Sequence, residues 1–204
     1  MYPAKHLAFL LVLLVAFSSK AFCQEDIKKL DPANFKEETL SALIVEKINA
    51  VRTAKGLPAL TTSPALKKAA QIQATYLKRK NKLTHFENTK KLKTPFDRVN
   101  QLDKSFTQVA ENVAYVSPGL IILRGKRVEE IRYFTYDTIA SQLVNDWIKS
   151  PGHYKNIISN FSQTGVAVSL NLKAQRLFAV QVFGGKAKTP KEKHPPIKNH
   201  LKQQ

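Results

Sequence analysis

The sequence is poor in several residues that small domains often lean on: 204 residues contain one cysteine, one tryptophan, one methionine and seven glycines. With Cys23 alone, no intradomain disulfide framework of the kind that holds many small secreted folds together can form. Carboxylates are also scarce, 15 against 33 lysines and arginines, for a formal charge of +18. Such a surface either adheres to anionic partners (wall polymers, phospholipid headgroups, nucleic acid) or is simply kept soluble by lysine. The apolar run from Leu7 to Phe17 falls well short of the roughly 20 residues that cross a bilayer as a helix. Missing too are a Gly-rich phosphate loop, a G-x-S-x-G nucleophile elbow and an H-E-x-x-H pair, which removes three common routes to catalysis.

What is present begins with an N-terminal address. Lys5 and His6 precede the apolar run, and Ser18 to Cys23 follows it, with Ala21-Phe22-Cys23 as an acceptable small-residue cleavage site. Residues 1–23 therefore read as a secretory signal cut before Gln24, which makes the protein secreted or periplasmic. Lipid anchoring at Cys23 is disfavoured, because bulky Phe22 stands where a lipid-attachment motif wants a small residue. Cleavage before Gln24 leaves no thiol, so cysteine catalysis is excluded as well. No serine sits in a recognisable activating setting.

A charged lead-in covers 24–34, a single domain 35–184, and a basic, Pro- and Lys-rich tail 185–204 that has no apolar period and is expected to be disordered. Within the domain, Leu40, Ile44, Ile48 and Val51 mark a helix over Phe35–Ala54, stopped by Gly56. Ser63-Pro64 opens a second helix with Leu66, Ala70, Ala74 and Leu77 inward, and Thr94-Pro95 a short third one. Gln108 to Ser117 alternates as a half-buried strand that puts Glu111 on the same face as Val109 and Val113. A carboxylate there needs a partner, since burying it alone is costly. Pro118 to Tyr133 is a basic segment readable as strand or lid. Tyr136–Lys149 is a long helix, and Thr164–Leu170 with Leu177–Phe183 a hairpin. Helices first and strands mixed among them predict an α+β fold, a small, mainly antiparallel sheet covered by helices.

The chain's organising stretch is Asp146 to Asn156, a helix end, a sharp break at Ser150-Pro151 and a new helix. Ser150 reads as its N-cap and Pro151 as its first residue. His153 falls in the first turn, where the helix dipole favours a neutral imidazole. With His85 after the second helix and Glu111 on the strand, it forms a set of two histidines and a carboxylate that three-helix covering of one sheet could bring to one cleft.

These residues carry a resemblance. Trp147-x-x-Ser150-Pro151-Gly152-His153-x-x-Asn156-Ile157 resembles the most diagnostic motif of the bacterial branch of the CAP superfamily, which comprises the cysteine-rich secretory proteins, antigen 5 and the plant pathogenesis-related proteins. Ile48-Asn49-x-x-Arg52 with Gly56-Leu57-Pro58-x-Leu60 is similar to the family's opening helix and turn, and Leu66-x-x-Ala69-Ala70 to its second helix. Thr84-His85 fits its first histidine, and Ala110-Glu111-Asn112 its Gly-Glu-Asn strand with Ala for Gly. Gly165 to Val168 and Val180 to Phe183 match its closing strands. The resemblance implies a three-layer α-β-α sandwich whose cleft holds two histidines and two acids, able to take a divalent metal such as zinc in some members. His85, Glu111 and His153 match three of the four. The fourth position is Ser150 here, with Asp146 and Glu87 as nearby acids.

Two readings of the cluster stay open: a three-ligand zinc or other divalent centre with a water position, or a hydrogen-bonded cluster without metal, in which Glu111 orients an imidazole. The second is favoured, the ligand set being one acid short. Asn156 and Arg52 are expected to brace loops and helix ends. The family has been linked to lipid or sterol binding, protease-like activity and cell-wall roles without one shared reaction. The sequence thus supports a secreted binding module acting on a lipid, another amphiphile or an anionic cell-wall polymer, with peripheral membrane contact. The alternative is a metal-assisted hydrolase using His85, Glu111 and His153. Specific nucleic-acid binding rests on charge alone and is disfavoured.

Overall fold

The computed structural model describes residues 29–186. The signal segment, most of the lead-in and the tail after Lys186 lie outside the described residues. Helix α1 (Glu37–Ala54) places Glu37 and Glu38 in the first turn, where the dipole favours anions, and buries Leu40, Ile44 and Ile48 completely. Gly56 ends it at φ 71°. The two-residue strand β1 (Thr61–Thr62) leads to α2 (Pro64–Lys80). There the Ser63 hydroxyl accepts the Leu66 N–H, Lys78 to Lys80 occupy the last turn, and left-handed Asn81 closes it. Leu66, Ala70, Ala74 and Leu77 all point into the core.

A short helix α3 (Pro95–Asn100) and the long strand β2 (Phe106–Val116) follow. Next come β3 (Gly119–Arg124) and β4 (Arg127–Tyr133), then helices α4 (Tyr136–Lys149) and α5 (Pro151–Ile158). Strands β5 (Gln163–Asn171) and β6 (Arg176–Lys186) close the domain as a hairpin. The four-stranded sheet runs β1-β5-β6-β2, with only β1 parallel to its neighbour.

Alternate residues of the two central strands feed two cores, because successive side chains leave a strand on opposite faces. Val166, Val168, Leu170, Leu177, Ala179 and Phe183 pack with α1, α4 and α5 around Trp147. Ala167, Phe178, Val180 and Val182 pack with α2 and α3. The result is the expected α-β-α sandwich. At Gly165 the layers meet closely: an added Cβ would lie 2.0 Å from the Lys67 backbone nitrogen, so α2 rests directly on β5.

Four details add to the sequence reading or correct it. The domain does not end at 184: Gly184 and Gly185 are buried inside β6, the first beneath the Phe106 ring. Within the charged lead-in, Leu30 is a core residue whose N–H donates to Phe134 O at 2.8 Å. The segment 118–133 is a separate two-stranded hairpin, β3-β4, which does not join the main sheet. The Ser150 hydroxyl makes no cap bond; Ser150 instead joins α4 to α5 through its backbone, N–H to Trp147 O and carbonyl to Tyr154 N–H.

Candidate functional site

The site is built around the free edge of β2. A capping box fixes the short α3: Thr94 Oγ1 accepts the Asp97 N–H at 3.1 Å and Asp97 Oδ2 accepts the Thr94 N–H at 2.9 Å. That phase turns Arg98, with no exposed surface, beneath the sheet edge. Its Nη2 donates to Glu111 Oε2 at 2.6 Å. The same guanidinium donates to the carbonyls of His85 and Leu92 at 3.3 and 3.1 Å, which pins the loop between α2 and α3.

Glu111 lies on the α2–α3 side of β2, as its alternation predicts, and is 5 % exposed. Its second oxygen, Oε1, is 2.9 Å from His85 Nδ1. A carboxylate beside a guanidinium can only accept, so Nδ1 carries the proton and Nε2 is left as the second nitrogen of a ring whose side chain is 42 % exposed. Arg98, Glu111 and His85 thus form a line from the interior to the surface. The partner that burial of Glu111 demands is a cation from α3, a residue the sequence reading did not single out.

Asn112, one residue on, points to the other layer. Its Nδ2 donates to His153 O at 3.2 Å, and Asn156 Nδ2 donates to Asn112 Oδ1 at 2.9 Å. These bonds sew the start of α5 to β2 and bring His153 round the sheet edge toward His85. Burial, and secondarily the charge of His85, hold His153 below the usual histidine value. The dipole argument gave the right direction for His153, but the dominant cause is loss of solvent. Arg52 braces the far end of α5: it is buried and donates to Pro58 O, Ile157 O, Ser159 O and Phe161 O at 2.7–3.1 Å.

Of the two extra acids, Glu87 belongs near the cluster. It is buried, Oε1 lacks a hydrogen-bond partner, and burial pushes its carboxyl above the usual range against the pull of Arg98 and Arg79. Asp146 is exposed and lines a different cleft of about 450 Å³ with Tyr115, Phe134, Gln142, Asn145 and Lys149. Among the described residues, no three His, Cys, Asp or Glu side chains converge as a metal-binding group. The three-ligand arrangement of His85, Glu111 and His153 therefore does not fit this geometry. Both oxygens of Glu111 are engaged, one of them by a buried cation that would repel a second. Nothing in the fold requires glycine at 152, where a Cβ would meet no atom within 4 Å.

The sequence profile of the family described as "CAP: Cysteine-rich secretory protein family" matches residues 45–183. Among solved structures, the chain is similar to an outer surface protein of Borrelia burgdorferi, at 21% identity and TM-score 0.58, covering 78% of this chain and 98% of that one. It is also similar to an extracellular protein containing an SCP domain from Bacillus anthracis, at 23% identity and TM-score 0.57. That match covers 78% of this chain and 45% of the other. A cysteine-rich secretory protein of Staphylococcus aureus matches at 16% identity and TM-score 0.51, over 74% and 40%. A search of the curated proteins returns no match.

Proposed function

The chain belongs to the cysteine-rich secretory protein (CAP) family, and from that premise we propose that it is a secreted binding module without turnover. Its His85–Glu111–His153 edge would receive an anionic or amphiphilic component of the cell envelope. The observation that carries this reading is the commitment of Glu111: one oxygen on His85 and the other on Arg98. A general base takes a proton from the reacting group, whereas this carboxylate turns one oxygen to a buried cation and the other to orient an imidazole. The two imidazoles and the open space over Gly152 are then the recognising surface. The chain's formal charge of +18 suits an anionic ligand. Outer-surface and extracellular relatives, and a signal-like first 23 residues, support export. Among the described residues no helix is long and apolar enough to cross a membrane.

Calorimetric titration with zinc and retention on purified wall sacculi test the proposal together. The expected result is no saturable zinc uptake, with retention weakened in His85→Ala and His153→Ala. Stoichiometric zinc binding lost in both variants, accompanied by hydrolysis of an ester or peptide substrate, would overturn it.

A further inference from the structure

Among the described residues the hairpin β3-β4 is the one pair of strands outside the main sheet, and its two faces differ. Cross-strand partners point to the same side of a sheet. By register, one face carries Ile121 with Ile131 and Leu123 with Val128; the other carries Leu120 with Arg132, Ile122 with Glu130, and Arg124 with Arg127. The pairs of the first face are apolar, and toward the tip they are open to solvent: Leu123 and Val128 are 57 % and 58 % exposed and Ile121 45 %, with Ile131 half-buried; on the other face Leu120 is exposed as well. An apolar face of this kind on a soluble domain marks a contact surface.

The base of the hairpin is firmly held. Phe134 N–H donates to Pro118 O at 2.9 Å, and the Ser117 hydroxyl to Gly119 O at 2.6 Å. Gly119 lets the strands approach so closely that a Cβ there would lie 2.4 Å from Arg132 O. The arm therefore presents a fixed projection, about 20 Å long for six paired residues, rather than a loose loop.

Charge identifies the occupant. The turn is Arg124-Gly125-Lys126-Arg127, with Gly125 at φ 62°, so three cations crown the apolar pair Leu123/Val128. The two acids of the arm lie beside its own arginines, Glu129 by Arg124 at 3.8 Å and Glu130 by Arg132 at 3.0 Å. A second copy of this chain would bring the same cations and a formal charge of +18 to the contact, which disfavours self-association. Apolar side chains flanked by arginine and lysine suit the boundary between acyl chains and anionic headgroups, where the stems lie in the apolar layer and the cations meet phosphate.

We infer that β3-β4 docks tip-first on an anionic phospholipid surface, with Leu123 and Val128 entering the headgroup–acyl boundary and Arg124, Lys126 and Arg127 on the phosphates. This surface is separate from the histidine edge and does not depend on it.

Co-sedimentation of the full secreted chain with phosphatidylglycerol-containing and with pure phosphatidylcholine vesicles tests the assignment. Binding is expected to the anionic vesicles and to fall steeply with salt. Replacing Arg124, Lys126 and Arg127 by serine is expected to weaken it on the order of a hundredfold, at about 1 kcal/mol per cation. Leu123→Ser/Val128→Ser should also release the protein, while His85→Ala should not. Because Trp147 is fully buried, a Leu123→Trp variant adds an exposed probe, expected to blue-shift on vesicles and to be quenched by brominated acyl chains. Three results would each overturn the inference: unchanged vesicle binding in the hairpin variants; a dimer in solution that those variants dissociate; or retention on sacculi but not on vesicles. Loss of the histidine-edge interaction with vesicle binding intact would instead count against the proposed function alone.

Discussion

Replacing Arg98 by methionine is the most direct test of how the site is held. The side chain is fully buried, 2.6 Å from a carboxylate that is itself 5 % exposed, and bonded to two loop carbonyls. Its removal leaves Glu111 buried beside an apolar stem. Breaking a buried pair from one side costs about 3–5 kcal/mol, since the remaining charge keeps its desolvation penalty without its partner. That is a large share of a typical domain stability of about 5–15 kcal/mol. With a urea dependence near 2 kcal/mol/M, the unfolding midpoint should fall by roughly 1.5–2.5 M. The second arm is the double variant Arg98→Met/Glu111→Leu, which removes both charges. It should recover most of the loss, because an apolar pair of similar volume often replaces a buried ion pair at no cost. Urea melts of the wild type, both singles and the double form a closed cycle. A single variant within about 1 kcal/mol of wild type, or a double variant no better than Arg98→Met, would refute the view that Glu111 is anchored from below.

His153, held below 6.5, binds fewer protons folded than unfolded, so stability should fall as pH drops from about 6.5 toward its folded pKa. His153→Gln should flatten that slope in urea melts at several pH values. Glu87 is shifted the other way: its stabilising contribution is present at low pH and lost as pH rises from 4.5 through its raised pKa, and Glu87→Gln should remove this loss. Arg52→Met should cost about 2–4 kcal/mol, with faster amide exchange over residues 157–162, because its four carbonyl acceptors are orphaned together. Gly165→Ala should cost about 1–3 kcal/mol or more in thermal melts, as α2 has no room to retreat from β5.

Much of the scaffold was written in local signals. Ser63-Pro64 and Thr94-Pro95 begin helices where they should, and the stripes Leu40–Ile44–Ile48 and Ile139–Leu143–Trp147 are buried because a period near 3.6 leaves them no other face. The alternation around Glu111 correctly gave its direction. What it could not give was the partner, since Arg98 looks like one of many cations until the capping box sets the rotation of α3. The buried carboxylate was itself the clue that a cation had to be found. The hairpin escaped for the opposite reason: its apolar residues are exposed, so they follow no core period. Gly184 and Gly185 read as a domain end because glycine usually punctuates, yet here the missing side chain of Gly184 admits Phe106.

The clasp formed by Arg52 joins partners 105, 107 and 109 residues apart in the chain. Asn112 and Asn156 are likewise 44 residues apart. Contacts of such long span each close a large loop, at an entropic cost that local contacts do not carry. The histidine-bearing helix is therefore tied down only by a chain that extends past it: a nascent polypeptide halted before residue 161 has no means of completing the clasp.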